Sequence, residues 1–239
     1  MIALTDEELE ALRLSAKVAA WAVALCLPIG VATSWLLARR DFHGKVLVEA
    51  IVQLPMVLPP VVPGYLLLLL FGTQGLIGAW LESTFGVVIA FTWKGAALAS
   101  AVMAFPLMVQ PVSLAFRMID PRLEQAATTL GATPWRAFWT VTLPLALPGI
   151  IAGAVLCFSR SLGEFGATMA FVGNIPGETR TLPLAIYTFT HVPGGESAAL
   201  RLVALSICLA LAALIGSHML SRRVNRQLGY VQRTANAQR

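Results

Sequence analysis

Charge is scarce in this sequence. Only 12% of its 239 residues are Asp, Glu, Lys or Arg, about half the ~25% typical of soluble domains. With 57% hydrophobic residues and a mean hydropathy of +0.76, a water-facing surface would be largely hydrocarbon, so the bilayer is the better solvent. Cysteine and histidine are scarce too, at three each. Cys26, Cys157 and Cys208 sit inside apolar runs, which excludes a disulfide framework and leaves no metal-ligand spacing. The scattered histidines argue against a metal site. No GxxxxGK[ST] occurs, and Gly44-Lys45 is followed by Val46, so no ATP site of that kind lies on this chain. The N-terminal stretch is acidic and lacks the basic region of a signal peptide. The net charge of +5 does not point to nucleic acid, because the basic residues lie in short clusters between apolar runs.

Those runs predict an all-α, polytopic membrane helix bundle forming one domain over 1–239. Five segments are long enough for a core that takes about 20 residues to cross, at about 12–38, 46–71, 91–117, 146–172 and 197–220. Eleven of the seventeen basic residues then fall on one side. They are Arg39, Arg40 and Lys45, then Arg117, Arg122 and Arg136, then Arg222, Arg223, Arg226, Arg233 and Arg239. The acids Asp6, Glu7, Glu8, Glu10, Glu82, Glu178 and Glu196 gather on the other side. The positive-inside rule therefore places the N-terminus outside and the C-terminus in the cytoplasm. The stretch 73–93 is apolar enough to dip into the membrane as a short segment, but a sixth full span would upset the charge sorting.

Two features inside the spans are unusual for lipid-facing helices. Pro55, Pro59, Pro60 and Pro63 crowd the second span, and each removes a backbone donor. They produce either ordinary kinks or a cavity-lining or gating helix, with Pro59 and Pro60 as candidate pathway residues, since broken backbone at membrane depth needs protein or water beside it. In the fourth span, Arg160 and Glu164 stand one helical turn apart. An arginine there costs roughly 2.5–3.5 kcal/mol on insertion scales and should face the bundle interior. The pair is either a lock between helices or a pathway charge for an anion, with Glu164 orienting a guanidinium whose planar fork suits an oxyanion. Gly149 and Gly153 permit close helix packing. Near the outer side, Gly173, Pro176 and Gly177 form turns, while Asn174, Thr179 and Arg180 offer hydrogen bonds. That segment is either a solvated loop or an outer gate or receptor contact.

The link between spans three and four is the most specific stretch. Asp120-Pro121 starts a helix; Leu123, Ala126, Ala127 and Leu130 follow at helical spacing, and Gly131 ends it. Trp135, Phe138 and Trp139 then form an aromatic patch ahead of Leu143-Pro144, as an interfacial helix also would. This stretch, about 118–145, resembles the cytoplasmic coupling motif of type I ABC importer permeases, in which Glu-Ala-Ala, Gly and Leu-Pro frame a short helix that docks on an ATPase. Ala126, Ala127, Gly131, Leu143 and Pro144 match. The motif's glutamate position is Gln125 here, with Glu124 one residue earlier.

The resemblance extends over nearly the whole chain and is closest to molybdate permeases. It rests on QLPMVLPPVVPGYLLLLL (53–70), FPLMVQPVSLAF (105–116), SRSLGEFGATMAFVGNIPGETRTLPLAIYT (159–188) and PGGESAALRLVALSI (193–207). It implies an inner-membrane homodimer of a prokaryote, importing molybdate or tungstate. Two ABC ATPase subunits would bind ATP and Mg below it, and a molybdate-binding protein would sit outside. Sulfate and thiosulfate permeases share the outline but differ around GEFGAT. An ATP-independent channel or secondary transporter would lack the coupling motif and would tend to show an inverted repeat. A membrane enzyme would need a paired nucleophile and base, whereas Glu164 is the one mid-span acid.

Overall fold

The computed structural model describes residues 5–236, and all regular structure among them is helical. Helix α1, Asp6–Arg39, opens on a capping box: Thr5 Oγ1 accepts from the Glu8 amide, and Glu8 Oε2 accepts from the Thr5 amide at 2.9 Å. Acids fill its first turn and Arg39 its last, the order the helix dipole favours. α2 (Lys45–Val57) and α3 (Val61–Phe71) follow, then the short α4 (Leu76–Phe85) and the long α5 (Trp93–Met118). α6 (Pro121–Thr129) and α7 (Pro134–Ala137) lead through a π-helical turn, Phe138–Thr142, into α8 (Leu143–Leu162). α9 (Gly166–Val172), α10 (Leu182–Thr190) and α11 (Glu196–Asn236) complete the order.

The core is a three-helix seam. Ala22 and Cys26 of α1, Ala104, Met108, Val112 and Phe116 of α5, and Ala146, Ile150 and Cys157 of α8 form one buried cluster. The seam is tight because α8 presents glycine to α5. A Cβ on Gly149 would lie against Ala115 Cβ, and one on Gly153 would lie 2.8 Å from the Met108 carbonyl oxygen. Small residues let helix backbones approach where lipid gives no hydrophobic drive for association.

Among the described residues, four helices are long and apolar enough to cross a membrane, with a fifth span if α2 and α3 count as one. The expected spans at 12–38, 91–117 and 197–220 correspond to α1, α5 and α11. The other two need correction. The segment 46–71 turns by 111° between α2 and α3. Pro59 and Pro60 have no N–H to give the Pro55 and Met56 carbonyls, so the helix cannot continue. The segment 146–172 stops being helical after Leu162 and resumes at Gly166. The stretch 73–93 holds only the ten-residue α4, too short to span. Arg239 and Met1–Leu4 lie outside the described residues.

Polar contacts sort the loops to two ends. Arg39 meets Glu124 at 3.0 Å and Arg117 meets Glu49 at 3.3 Å. Lys45 Nζ donates to Asp41 at 2.8 Å and holds that carboxyl below the usual carboxylate range. At the opposite end, Arg201 of α11 meets the fully buried Glu8 at 2.7 Å, Ser15 Oγ accepts from the Leu182 amide, and Glu178 accepts from the Trp93 amide. The first two basic clusters lie at one end, as expected; the side chains of Arg222, Arg223, Arg226 and Arg233 lie outside the described residues.

The seam gives a direct test. Gly153→Leu forces α8 off the α5 backbone and should cost about 1–3 kcal/mol, read as a lower unfolding midpoint in detergent. Gly216→Leu, on α11 with nothing within 4 Å, should leave the midpoint unchanged. Equal midpoints for the two variants would contradict the packing.

Candidate translocation site and coupling loop

Both broken spans meet at their breaks. A Cβ on Gly166, the first residue of α9, would lie 2.7 Å from Pro60 Cβ. A Cβ on Gly64 of α3 would lie 2.5 Å from the Ala167 carbonyl oxygen. The bend at Pro59-Pro60 therefore rests on the gap between α8 and α9, with backbone against backbone.

Glu164 occupies that gap. It is not helical, as the sequence spacing had suggested, but its carboxylate reaches both neighbours. Oε1 accepts from the Ala167 amide at 2.8 Å, satisfying one of the donors that a helix start leaves free. Oε2 lies 2.7 Å from Arg160 Nη1. The guanidinium hydrogens are not aimed at Oε2, so this contact is a charge pairing more than a hydrogen bond. The two partners differ in exposure: the Glu164 side chain is 1% exposed and that of Arg160 31%. The expected burial is met by the acid alone. Arg160 opens onto the surface of the chain and makes no other ion pair or protein hydrogen bond among the described residues, so its remaining donors are free for a ligand.

The loop between α5 and α8 is built by local capping. Asp120 Oδ1 accepts from the Arg122 amide at 2.9 Å, and Pro121 takes the first helical position. The far end of α6 is a Schellman closure: the Ala132 amide reaches the Ala127 carbonyl and the Gly131 amide the Thr128 carbonyl, both at 3.0 Å, with Gly131 at φ 89°. Gln125 and Ala126 point outward, Ala127 is half-buried, and Leu123 and Leu130 are 47% and 89% exposed. Glu124 faces the other way. Its Oε1 accepts from Arg39 at the end of α1 and from Thr142 Oγ1 at 2.7 Å, tying α6 to two spans. Leu143 and Pro144 lie where α8 resumes. The Leu143 amide bonds to the Phe138 carbonyl five residues back, a π turn placed just before the proline that cannot donate. Phe138 is wedged among Trp35, Phe116 and Trp135.

The outer segment is packed rather than plainly solvated. Asn174 donates to Thr188 Oγ1 and accepts from Arg180 Nε. Thr179 is fully buried, accepting from the Ile175 amide at 2.8 Å. A direct receptor contact by Thr179 is therefore not available in this conformation, because its hydroxyl closes the turn from inside. Ile175, Pro176 and Gly177 form the exposed tip. Sequence reasoning missed the Glu8–Arg201 pair, although Thr5-x-x-Glu8 is a readable capping-box signal. It also missed the polar residues of α2 and α5 considered below.

Comparison with known proteins shows the family. The chain belongs to the family of the binding-protein-dependent transport system inner membrane component, which matches residues 27–226. It is 57% identical over 219 residues to the molybdenum transport system permease protein ModB of Escherichia coli (strain K12), covering 92% of this chain and 96% of that protein. It is 52% identical to ModB of Haemophilus influenzae, covering 93% and 97%. A sulfate transport system permease protein, CysW of Synechococcus elongatus, is 37% identical and covers 91% and 76%. The fold is that of ABC importer permeases. It matches a bacterial ABC transporter for alginate import at TM-score 0.72 and 17% identity, over 92% of this chain and 80% of that one. It also matches the MetNI methionine ABC transporter at TM-score 0.64 and 19% identity, over 91% and 94%.

The packed outer loop predicts a contrast in labelling. In a Cys208→Ser background, Pro176→Cys should react with a membrane-impermeant thiol reagent added to spheroplasts, and Thr179→Cys should stay protected. Equal labelling would contradict the packing, and no labelling at Pro176→Cys would contradict an outward-facing tip.

Proposed function

We propose that this chain is the transmembrane permease subunit of an ATP-driven importer of molybdate, with tungstate as a close substitute. The observation that carries this reading is the 57% identity to a molybdenum permease over nearly the full length of both chains, against 37% to a sulfate permease. The chain works as one permease domain, N-terminus outside and C-terminus in the cytoplasm, as the basic loops favour. It pairs with a second copy of itself. Two ATPase subunits bind ATP and Mg, and an external binding protein delivers the anion; this chain contributes the path and no catalytic group.

The joint around Glu164 supplies the chemistry of that path. An arginine held at one nitrogen and free at the others offers paired donors to a tetrahedral oxyanion. Two copies would form a positive constriction that attracts a dianion yet lets it go, since conduction requires both entry and release. Glu164 limits the strength of binding by neutralising part of that charge. The exposed side of α6, with Leu123, Gln125 and Leu130, is the surface offered to the ATPase, because exposed apolar groups in a basic loop imply a partner. Glu124 and the π turn carry its movement into α1 and α8.

The experiment is uptake by proteoliposomes holding the chain with its ATPase and binding protein. ATP-dependent molybdate uptake, with sulfate much slower, is expected; equal rates for sulfate would contradict the specificity. Arg160→Gln keeps length and some donors, and should lower molybdate uptake roughly tenfold with the assembled complex present at normal levels. Near-normal uptake would reduce the pair to a structural lock. Gly131→Val places a β-branched side chain at positive φ, where it is strained. It should abolish the stimulation of ATP hydrolysis by loaded binding protein while the chain remains inserted; normal stimulation would contradict docking through α6.

A further inference from the structure

We propose a second oxyanion subsite, nearer the coupling-loop end of the bundle than Arg160, formed by Gln53 of α2 with Gln110, Ser113 and Arg117 of α5. The proposal rests on the reading of the chain as an oxyanion permease and adds a residue-level stopping point along the path.

A cavity of about 200 Å³ lies between α1, α2 and α5, and these four residues line it together with Glu49. Gln110 is eight residues from the end of α5 at Met118, roughly 12 Å along the helix. Arg160 is seventeen residues above Leu143 at the start of α8, roughly 25 Å. The cavity is thus a separate place.

Three observations give it a ligand. Ser113 lines the cavity and is 8% exposed, and its buried Oγ has no hydrogen-bond partner; a buried hydroxyl is normally satisfied. Gln53 and Gln110 are both exposed, although they stand among apolar residues of spanning helices, with Val57 80% and Leu114 60% exposed nearby. Lipid cannot satisfy an amide, so this side faces protein or water. Helix α2 buries no residue within its own chain, so whatever covers it comes from outside the chain, and an aqueous path flanked by a second copy meets both needs. The donors are two amide NH₂ groups, a hydroxyl and the part of the Arg117 guanidinium not engaged by Glu49 at 3.3 Å. Glu49 offsets the arginine charge, leaving a near-neutral cradle of dipoles around the anion. Such a cradle binds weakly, as an exit site must.

The same donors would suit the phosphate of an anionic lipid, and the test separates the two. Leu114→Cys, on the cavity wall and 60% exposed, in a Cys208→Ser background is placed in the complete complex, in phosphatidylcholine vesicles with or without phosphatidylglycerol. A membrane-permeant maleimide labels it with and without millimolar molybdate, using chloride at matched ionic strength as control. Molybdate should slow labelling about threefold or more, as partial occupancy requires, whatever the lipid. Gln53→Leu with Gln110→Leu should abolish that protection and lower uptake about fivefold. Labelling that ignores molybdate, or protection that follows phosphatidylglycerol alone, would overturn the subsite. Near-normal uptake in the double variant would overturn it as well. If the unaltered complex fails to take up molybdate with ATP, the reading of the chain as its importer fails first, and the subsite with it.

Discussion

A carboxylate buried at membrane depth must be matched on every side, and the architecture around Glu164 follows from that requirement. Its two oxygens meet the Ala167 amide and the Arg160 guanidinium. The first contact starts α9 and the second holds a charge at the surface of α8. Because α9 then packs on α3 through Gly64 and on Pro60 through Gly166, the acid also fixes where the bent second span sits. An unpaired carboxylate there would be costly in a low dielectric. The break in one helix and the bend in another are thus stabilised by each other's backbone and by one side chain.

Packing is close on one side of this joint. Below it, α8 meets α5 through Gly149 and Gly153, and the two helices share one buried cluster with α1. Farther down, the helix beginning at Pro134 passes through the π turn and continues unbroken to Leu162. A push on α6 reaches α8 through Thr142 and Glu124, and reaches α1 through Arg39. The Phe138 wedge adds an apolar contact to the same two helices and to α5. Physical continuity of this kind links the exposed face of α6 to α1 and α8 through packed side chains.

Much of this was legible in the residues, and the failures have physical causes. Asp120-Pro121 and Gly131 marked both ends of α6 because caps are local interactions. The basic clusters marked one side of the bundle because charge sorting needs no tertiary knowledge. The proline cluster announced a disturbance, but its 111° size depends on α9 lying beneath it. The interruption after Leu162 was hidden, since Gly163 and Gly166 read equally well as packing glycines within a helix, and Arg160 with Glu164 matches helical spacing. The pair survived the loss of helix between them because a glutamate side chain is long enough to reach back. Thr179 looked like a surface hydroxyl; its burial comes from the turn folding around it. Gln53 and Gln110 drew no attention because each is a single polar residue in an apolar run, and only the fold brings them to one cavity.

If Arg160 serves a passing anion, the joint around Glu164 borders a water-filled path and not lipid. Gly163 is the position to probe, because it is exposed, next to both charges, and a Cβ there meets nothing closer than the Arg160 carbonyl oxygen at 3.9 Å. The measurement is the reaction rate of Gly163→Cys, in a Cys208→Ser background, with a small charged, water-soluble thiol reagent in the assembled complex. Leu156→Cys in the same background, on α8 and 39% exposed, serves as the reference. A fast reaction at Gly163→Cys, suppressed by molybdate and far above that at Leu156→Cys, is the predicted result; a Gly163→Cys as unreactive as Leu156→Cys would contradict the account.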